Sequence, residues 1–266
     1  MDKKDTLGSE AKFHDHWSAQ TDQEEVLVEE SFLTPSCPEN LFILEKLGNL
    51  QGKTLLELGT GLGEGATFFA KRGAEVIATD ISSGMLLLAR RVGREHEVTF
   101  STAVTDAAAL PWADGSFDFV YAANLLHHVD IEACLQEVHR VLKPGGRAAF
   151  WDPVRYNPVI NRYRKMADQV RTEDEHPLGI EDLRLMRHMF SSVQVRHLGL
   201  ATLGVFIKFY FVDMVHPNEE RYWKKFISDY SSFRDLYTVL GWMDRILLNI
   251  PGIRWLAWNI AVVMEK

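Results

Sequence analysis

Leu55-Leu56-Glu57-Leu58-Gly59-Thr60-Gly61-Leu62-Gly63-Glu64-Gly65-Ala66 is an apolar run that meets an acid, then glycines at alternate positions, then a helical pattern. It reads as a strand that turns through a loop into a helix. Glycine at 59, 61 and 63 lets the backbone turn sharply and approach a ligand, while the helix start offers N–H groups without intrahelical acceptors. Dinucleotide sites use the same device. Glu57 makes the difference, because a carboxylate just before the loop repels a pyrophosphate but suits a ligand carrying an ammonium and a sulfonium.

A second acid stands at the right distance. Ala74 to Thr79 (AEVIAT) is a short β-rich run ending in Asp80, 21 positions after Gly59. That is the offset at which a strand-end carboxylate grips both hydroxyls of a ribose and disfavours a 2′-phosphate. A glycine loop by itself marks only a tight turn. The loop, Glu57 and Asp80 together point to S-adenosylmethionine.

Composition bounds the rest. A chain of 266 residues can bury a full core as one large domain, or one domain with a substantial addition. Its net charge of −8 argues against broad capture of nucleic acid, which needs a clustered positive surface. Cys37 and Cys134 lie far apart without metal-ligand spacing, so neither a disulfide framework nor a metal site is predicted, and a reducing cytoplasmic setting is expected. The polar start, MDKKDTLGSEAKFHDHW, lacks the apolar core of a signal peptide. Leu198 to Val215 is the longest apolar candidate, but Lys208 and Asp213 interrupt it, and a spanning helix needs about 20 mostly apolar residues.

From Leu55 onward short β-rich runs alternate with helical ones, the pattern of a parallel sheet covered on both faces. Strands are expected at Lys53–Leu58, Glu75–Thr79, Val98–Thr102, Phe117–Ala122 and Arg147–Trp151. Helices are expected at Gly65–Lys71, at about Ser83–Val92 with Ser82 or Ser83 as cap, and at Ile131–Val141, which Lys143-Pro144-Gly145-Gly146 terminates. Glu57, Asp80, Asp106, Asn124 and Asp152 all fall near strand ends, where ligands sit in such sheets.

These motifs in order, ELGTGLG, ATDIS, DAAALPWADGSFDFVYAANLLHHV and RVLKPGG, resemble class I S-adenosylmethionine-dependent methyltransferases over about Gly52 to Asp152. The similarity is greatest to the small-molecule group that includes quinone-biosynthesis enzymes. The resemblance implies an α/β, Rossmann-like, doubly wound and mostly parallel seven-stranded sheet. It also implies roles. Gly59, Thr60, Gly61 and Gly63 would line the methionine moiety, with Glu57 orienting its ammonium through the loop. Asp80 would hold the ribose and Ile81 would pack on the adenine. Asp106, with Ala107 alongside, would accept from the adenine amino group. Asn124 and Leu125 would meet the methionine end. The plain alternatives are that Asp106 caps a turn and Asn124 closes a strand.

Beyond Pro153 the resemblance offers less. Asn157-Pro158 opens a helical stretch, Glu181 to Phe190 is a further helix, Ser192 to Leu198 the sixth strand and Leu256 to Met264 the seventh. About fifty apolar residues separate the last two, where the family has a tight hairpin. The expected organisation is thus an N-terminal helical flap (1–50), a cofactor core (51–153), acceptor-side helices and the sixth strand (154–199), an apolar helical lid (200–254) and the final strand (255–266). The lid predicts a greasy acceptor, and either peripheral contact with a membrane or a homodimer.

The chemistry expected is methyl transfer from S-adenosylmethionine to a small, largely apolar acceptor. Positioning dominates such a displacement, and a base is needed only where the nucleophile must lose a proton. His128, His127 and His176 are the candidate bases, which favours oxygen or sulfur as target, with carbon the other option. The run Arg171 to His176 holds the carboxylates Glu173, Asp174 and Glu175, without a second ligand set for a metal. Arg155, Tyr156, Arg162, Tyr163, Arg164 and Arg171 either grip an anionic acceptor group or pin the added helices. Phe13, His14, His16 and Trp17 either fold over the cofactor or pack on the sheet edge. Methylation of RNA, DNA or protein is the weaker reading, since Asn124-Leu125-Leu126-His127 lacks the prolines and aromatic ring that clamp a flipped base. A non-catalytic subunit with this fold has no use for Glu57 and Asp80 together.

Overall fold

Leu55, Leu56, Glu57 and Leu58 are all buried, so β1 (Thr54–Leu58) is covered on both faces as its continuous apolar run predicts. The protein, seen in a computed structural model, is described over residues 3–21, 26–166, 176–216 and 222–266. β1 joins β2 (Glu75–Asp80), β3 (Ser101–Val104), β4 (Phe117–Ala123), β5 (Leu142–Pro153), β6 (Ser192–Leu198) and β7 (Asn259–Glu265) in one sheet. The order is β3-β2-β1-β4-β5-β7-β6. Neighbours run parallel except β7, which is antiparallel to both β5 and β6. The order reverses at β1 and β4, and there a cleft opens beyond the strand ends.

Helices cover both faces. On one side α2 (Val28–Leu33), α3 (Pro38–Leu47), α4 (Glu64–Lys71) and α5 (Ser83–Glu95) enclose a core in which Phe32 stacks on Phe68 with ring centres 3.9 Å apart. On the other, α6 (Ile131–Val141) and α8 (Ile180–Met189) bury Leu135, Val138, Leu183 and Met186. Caps set the starts: Ser82 Oγ accepts from the Met85 N–H, and an Asp130 carboxylate oxygen from the Ala133 N–H. A third cluster joins α7 (Pro158–Met166) to α9 (Gly204–Phe211), α10 (Tyr222–Ser228) and α11 (Tyr230–Leu247). These last three helices lie between β6 and β7, where the apolar insertion was expected. Asp244 of α11 accepts from the backbone N–H groups of Leu200, Ala201 and Thr202 and from the Thr202 hydroxyl, fastening the insertion at its entry.

Three strand starts differ from expectation by three residues or more. Val98 to Phe100 is not strand: Glu97 takes a left-handed φ of 59°, the Val98 N–H closes the end of α5 on the Gly93 carbonyl, and Phe100 lies over Gly93. Pairing with β2 starts only at Ser101. β5 begins at Leu142 instead of Arg147, because Leu142 pairs with Phe117 before the register shifts past Lys143–Gly146. β7 starts at Asn259, since Ile253–Leu256 winds as a 3-10 turn. Helix α1 (Lys3–Gln20) packs on α5. Asp15 accepts from the Ser82 hydroxyl at 2.6 Å and the Gly84 N–H at 3.0 Å, which anchors α1 over the start of α5.

Candidate active site

Each expected cofactor residue sits at the end of a strand for a local reason. After β1 the loop is held by the Thr60 N–H donating to the Thr79 carbonyl at 2.8 Å. Gly59, Gly61 and Gly63 all take positive φ, as the turn requires. The Thr60 hydroxyl donates to Glu57 at 2.5 Å, so the loop folds back over the acid. A Cβ on Gly65 would stand 1.9 Å from a Glu57 oxygen, and only glycine there leaves room for the buried carboxylate under the first turn of α4. At the end of β2, Asp80 accepts from the Gly61 N–H at 3.1 Å and the Ser82 N–H at 2.9 Å. Asp106 accepts from the Ala108 N–H at 2.9 Å, the turn cap that was the plain alternative for it. Asn124 has φ 53° and donates its N–H to the Trp151 carbonyl at 2.9 Å.

These pieces border one cavity of about 390 Å³. Glu57, Gly59, Thr60 and Gly61 enter it from β1, Asp80 and Ile81 from β2, Asp106 and Ala107 from β3, and Asn124 and Leu125 from β4. Gly63 is the exception. A Cβ on it would meet Ala89 of α5 at 2.6 Å, so its part is close helix packing and not contact with the cavity.

The side of the cavity formed by β1 and β2 is acidic. Burial pushes Glu57 up to about 8, with Glu64 and Asp80 adding repulsion after the donation from Thr60 pulls the other way. Burial also pushes Glu64 up to about 7 and raises Asp80. Two buried carboxylates and a half-buried third on a shared space favour a ligand with positive charge, which would return them to their ionised forms.

The histidines divide. His127 is buried, and its Nδ1 lies 2.6 Å from Asp152, a fully buried carboxylate that also accepts the His127 N–H at 3.3 Å. His128 Nδ1 lies 3.4 Å from Glu10 of α1, and His14 Nε2 3.5 Å from the same carboxyl. Both His127 and His128 border the cavity. His176 does not: it is exposed, and its contribution is a backbone N–H donated to the His127 carbonyl at 2.8 Å. The structure thus places the expected third base outside the cavity lining, tied to the loop that carries His127 through its backbone. Glu173, Asp174, Glu175 and Arg171 lie outside the described residues.

Other expectations sort the same way. Arg155 pairs with Glu181 and Asp182 and donates to the Pro177 carbonyl, so it pins α8. The Tyr156 hydroxyl accepts from the Ile180 N–H. Tyr163 and Arg164 border the cavity, as do Phe13, His14 and Trp17, whereas His16 does not.

Several cavity groups escaped the reading of the sequence. Glu64 is one of them, the first residue of α4, and its place directly after the glycine loop is the signal that finds it. Tyr121 donates to Asn40 at 2.8 Å and accepts from the Trp151 indole at 3.2 Å, a chain of polar contacts across α3, β4 and β5. No local pattern marks it. Trp223, Phe226 and Ile227 of α10 close another side.

Comparison with known proteins gives a concordant picture. Residues 56–150 match the family model described as a methyltransferase domain. Phosphoethanolamine N-methyltransferase 2 of Caenorhabditis elegans is 34% identical over 122 residues, 44% of this chain and 28% of that protein. Demethylmenaquinone methyltransferase of Thermus thermophilus is 41% identical over 98 residues, 36% of this chain and 44% of that protein. The matches thus span less than half of either relative. The solved structure of Haemonchus contortus phosphoethanolamine N-methyltransferase 2 with S-adenosyl-L-methionine superposes with a TM-score of 0.59 at 23% identity. It covers 96% of this chain and 60% of that one, and so establishes a shared fold.

Proposed function

We infer, from a methyltransferase domain at residues 56–150 set in the fold of solved methyltransferases, that the chain transfers a methyl group from S-adenosylmethionine to a small-molecule acceptor. The observation that carries this reading is the meeting of Glu57, Asp80 and Asp106 at one cavity beyond the strand ends, with Glu64 beside them. The volume suits a small-molecule site, and the buried carboxylates suit a cation.

In this reading Asp80 holds the ribose, Ile81 and Ala107 flank the adenine, and Asp106 accepts from its amino group. Gly59, Thr60 and Gly61 lie along the methionine portion, with Glu57 behind them fixing the loop. Asn124 and Leu125 close the methionine end. Bound there, S-adenosylmethionine supplies an electrophilic methyl group on a positive sulfur.

The chain's own work is to position the acceptor and keep water away. Trp151, Tyr163, Trp223 and Phe226 give the rest of the cavity an aromatic wall, which supports a largely apolar acceptor. His127, aligned by Asp152, and His128 supply imidazoles that can take a proton from a hydroxyl or a thiol, which supports oxygen or sulfur as the target. Incubation with methyl-labelled cofactor and panels of phenols, thiols, quinones and amines tests this. Label in a small phenol, quinone or thiol is the expected result. Label found only in RNA or protein would overturn it.

A further inference from the structure

Eleven of the seventeen large apolar side chains exposed among the described residues lie between 207 and 256, in the insertion and the turn that follows it. On α11 they are not scattered. Leu236, Val239, Met243, Ile246 and Ile250 follow one another at intervals of three and four, which is a single stripe along a helix and its end, and Trp242 borders it. The opposite side of α11 is satisfied inside the protein, where Phe233, Tyr237 and Leu240 join the third core cluster and Asp244 fastens residues 200–202. Helix α9 packs beside α11 and adds Ile207 and Phe211, with Met214 just beyond its end. Together these exposed side chains form an apolar face that nothing among the described residues covers.

We propose that this face of α9 and α11 lies on the surface of a lipid bilayer that contains anionic phospholipid. Three features choose this occupant. The exposed charges on α9, the segment to Met214 and residues 230 to 256 are Arg234, Arg245 and Arg254 against Asp213 and Asp235, so the face is locally positive on a chain of net charge −8. Arginines on the polar side of α11, with a tryptophan at the border of the apolar stripe, match a headgroup layer above acyl chains. No described helix is long and apolar enough to cross a membrane, which fits an element lying in the plane. The same insertion turns α10 toward the cavity, so a bilayer on its outer face would stand close to the route of an apolar acceptor.

Co-sedimentation of the full chain with vesicles of phosphatidylcholine, and of equimolar phosphatidylcholine and phosphatidylglycerol, tests the proposal without reference to catalysis. The wild type should pellet with the mixed vesicles and be released by salt. Val239→Ser/Trp242→Ser/Ile246→Ser should stay in the supernatant. Arg245→Glu/Arg254→Glu should bind the mixed vesicles more weakly, by about fivefold or more for each arginine. All five positions are exposed, and circular dichroism melts confirm that each variant folds. Wild type that remains in the supernatant with both vesicles would overturn the proposal. So would a wild-type dimer in sedimentation velocity that the triple variant converts to monomer, since the face would then belong to a second copy.

Discussion

Glu57 and Glu64 carry the sharpest residue-level consequence. Glu57 is buried and Glu64 half-buried, and desolvation holds them near 8 and 7, against an ordinary value of 4.5. Between those limits the folded protein keeps protons that the unfolded chain has lost, so the contribution of these groups to stability is fully present below about pH 4.5 and falls as pH rises toward 8. A cationic ligand has the opposite preference and favours the ionised carboxylates. Binding of S-adenosylmethionine should therefore release protons, and should tighten from about pH 6 to 7.5 by up to roughly tenfold per unit for each proton released. Calorimetry in buffers of different ionisation enthalpy measures this directly, and Glu57→Gln should remove its share. A flat profile with no proton release would show that the carboxylates are not facing the ligand's charge. At this scale the sequence was informative wherever a residue's role depends on its neighbours in the chain. Glu57, Gly59, Gly61 and Asp80 could be found that way. Tyr121 could not, because its partners Asn40 and Trp151 come from distant elements. The place of His176 was hidden for the same reason, since only the folded chain shows it exposed and outside the cavity lining.

At the scale of elements, two junctions decide whether the cavity has its shape. Gly63 starts α4 at φ 92° with α5 against it, and an added Cβ would lie 2.6 Å from Ala89. Gly63→Ala must pay for a left-handed backbone and an overpacked contact, and should cost about 2–4 kcal/mol in urea unfolding. A loss below the error of the measurement would mean that α4 and α5 can separate freely. Asp15 joins α1 to the start of α5 across 67 positions. Asp15→Ala should leave the sheet intact while amide exchange in α1 and at Ser82 to Met85 speeds up, and unchanged protection would remove α1 from the list of cavity walls. The strands themselves were legible as apolar runs bounded by turns. Their ends were not: Phe100 gives up strand for contact with Gly93, and the 3-10 turn before β7 uses residues that look β-prone in isolation.

For the whole molecule, the switch from β1 to β4 places the carboxyl ends of four parallel strands around a single space, with α1 on one side and the insertion on another. That arrangement explains why residues from 57 to 125 act together although they are spread over nearly seventy positions. It was foreseeable as a fold, since alternating strands and helices admit few other sheets. The path of the insertion was not, because its apolar residues satisfy both an inner cluster and an outer face, and composition does not say which is which. Calorimetric titration of the intact chain with S-adenosylmethionine tests the central claim most directly. One molecule should bind per chain, and Asp80→Ala should weaken it by about 30-fold or more while the protein stays folded, as expected for a lost charged hydrogen-bond partner. Absence of binding by folded wild type, or unaltered binding by Asp80→Ala, would contradict the account.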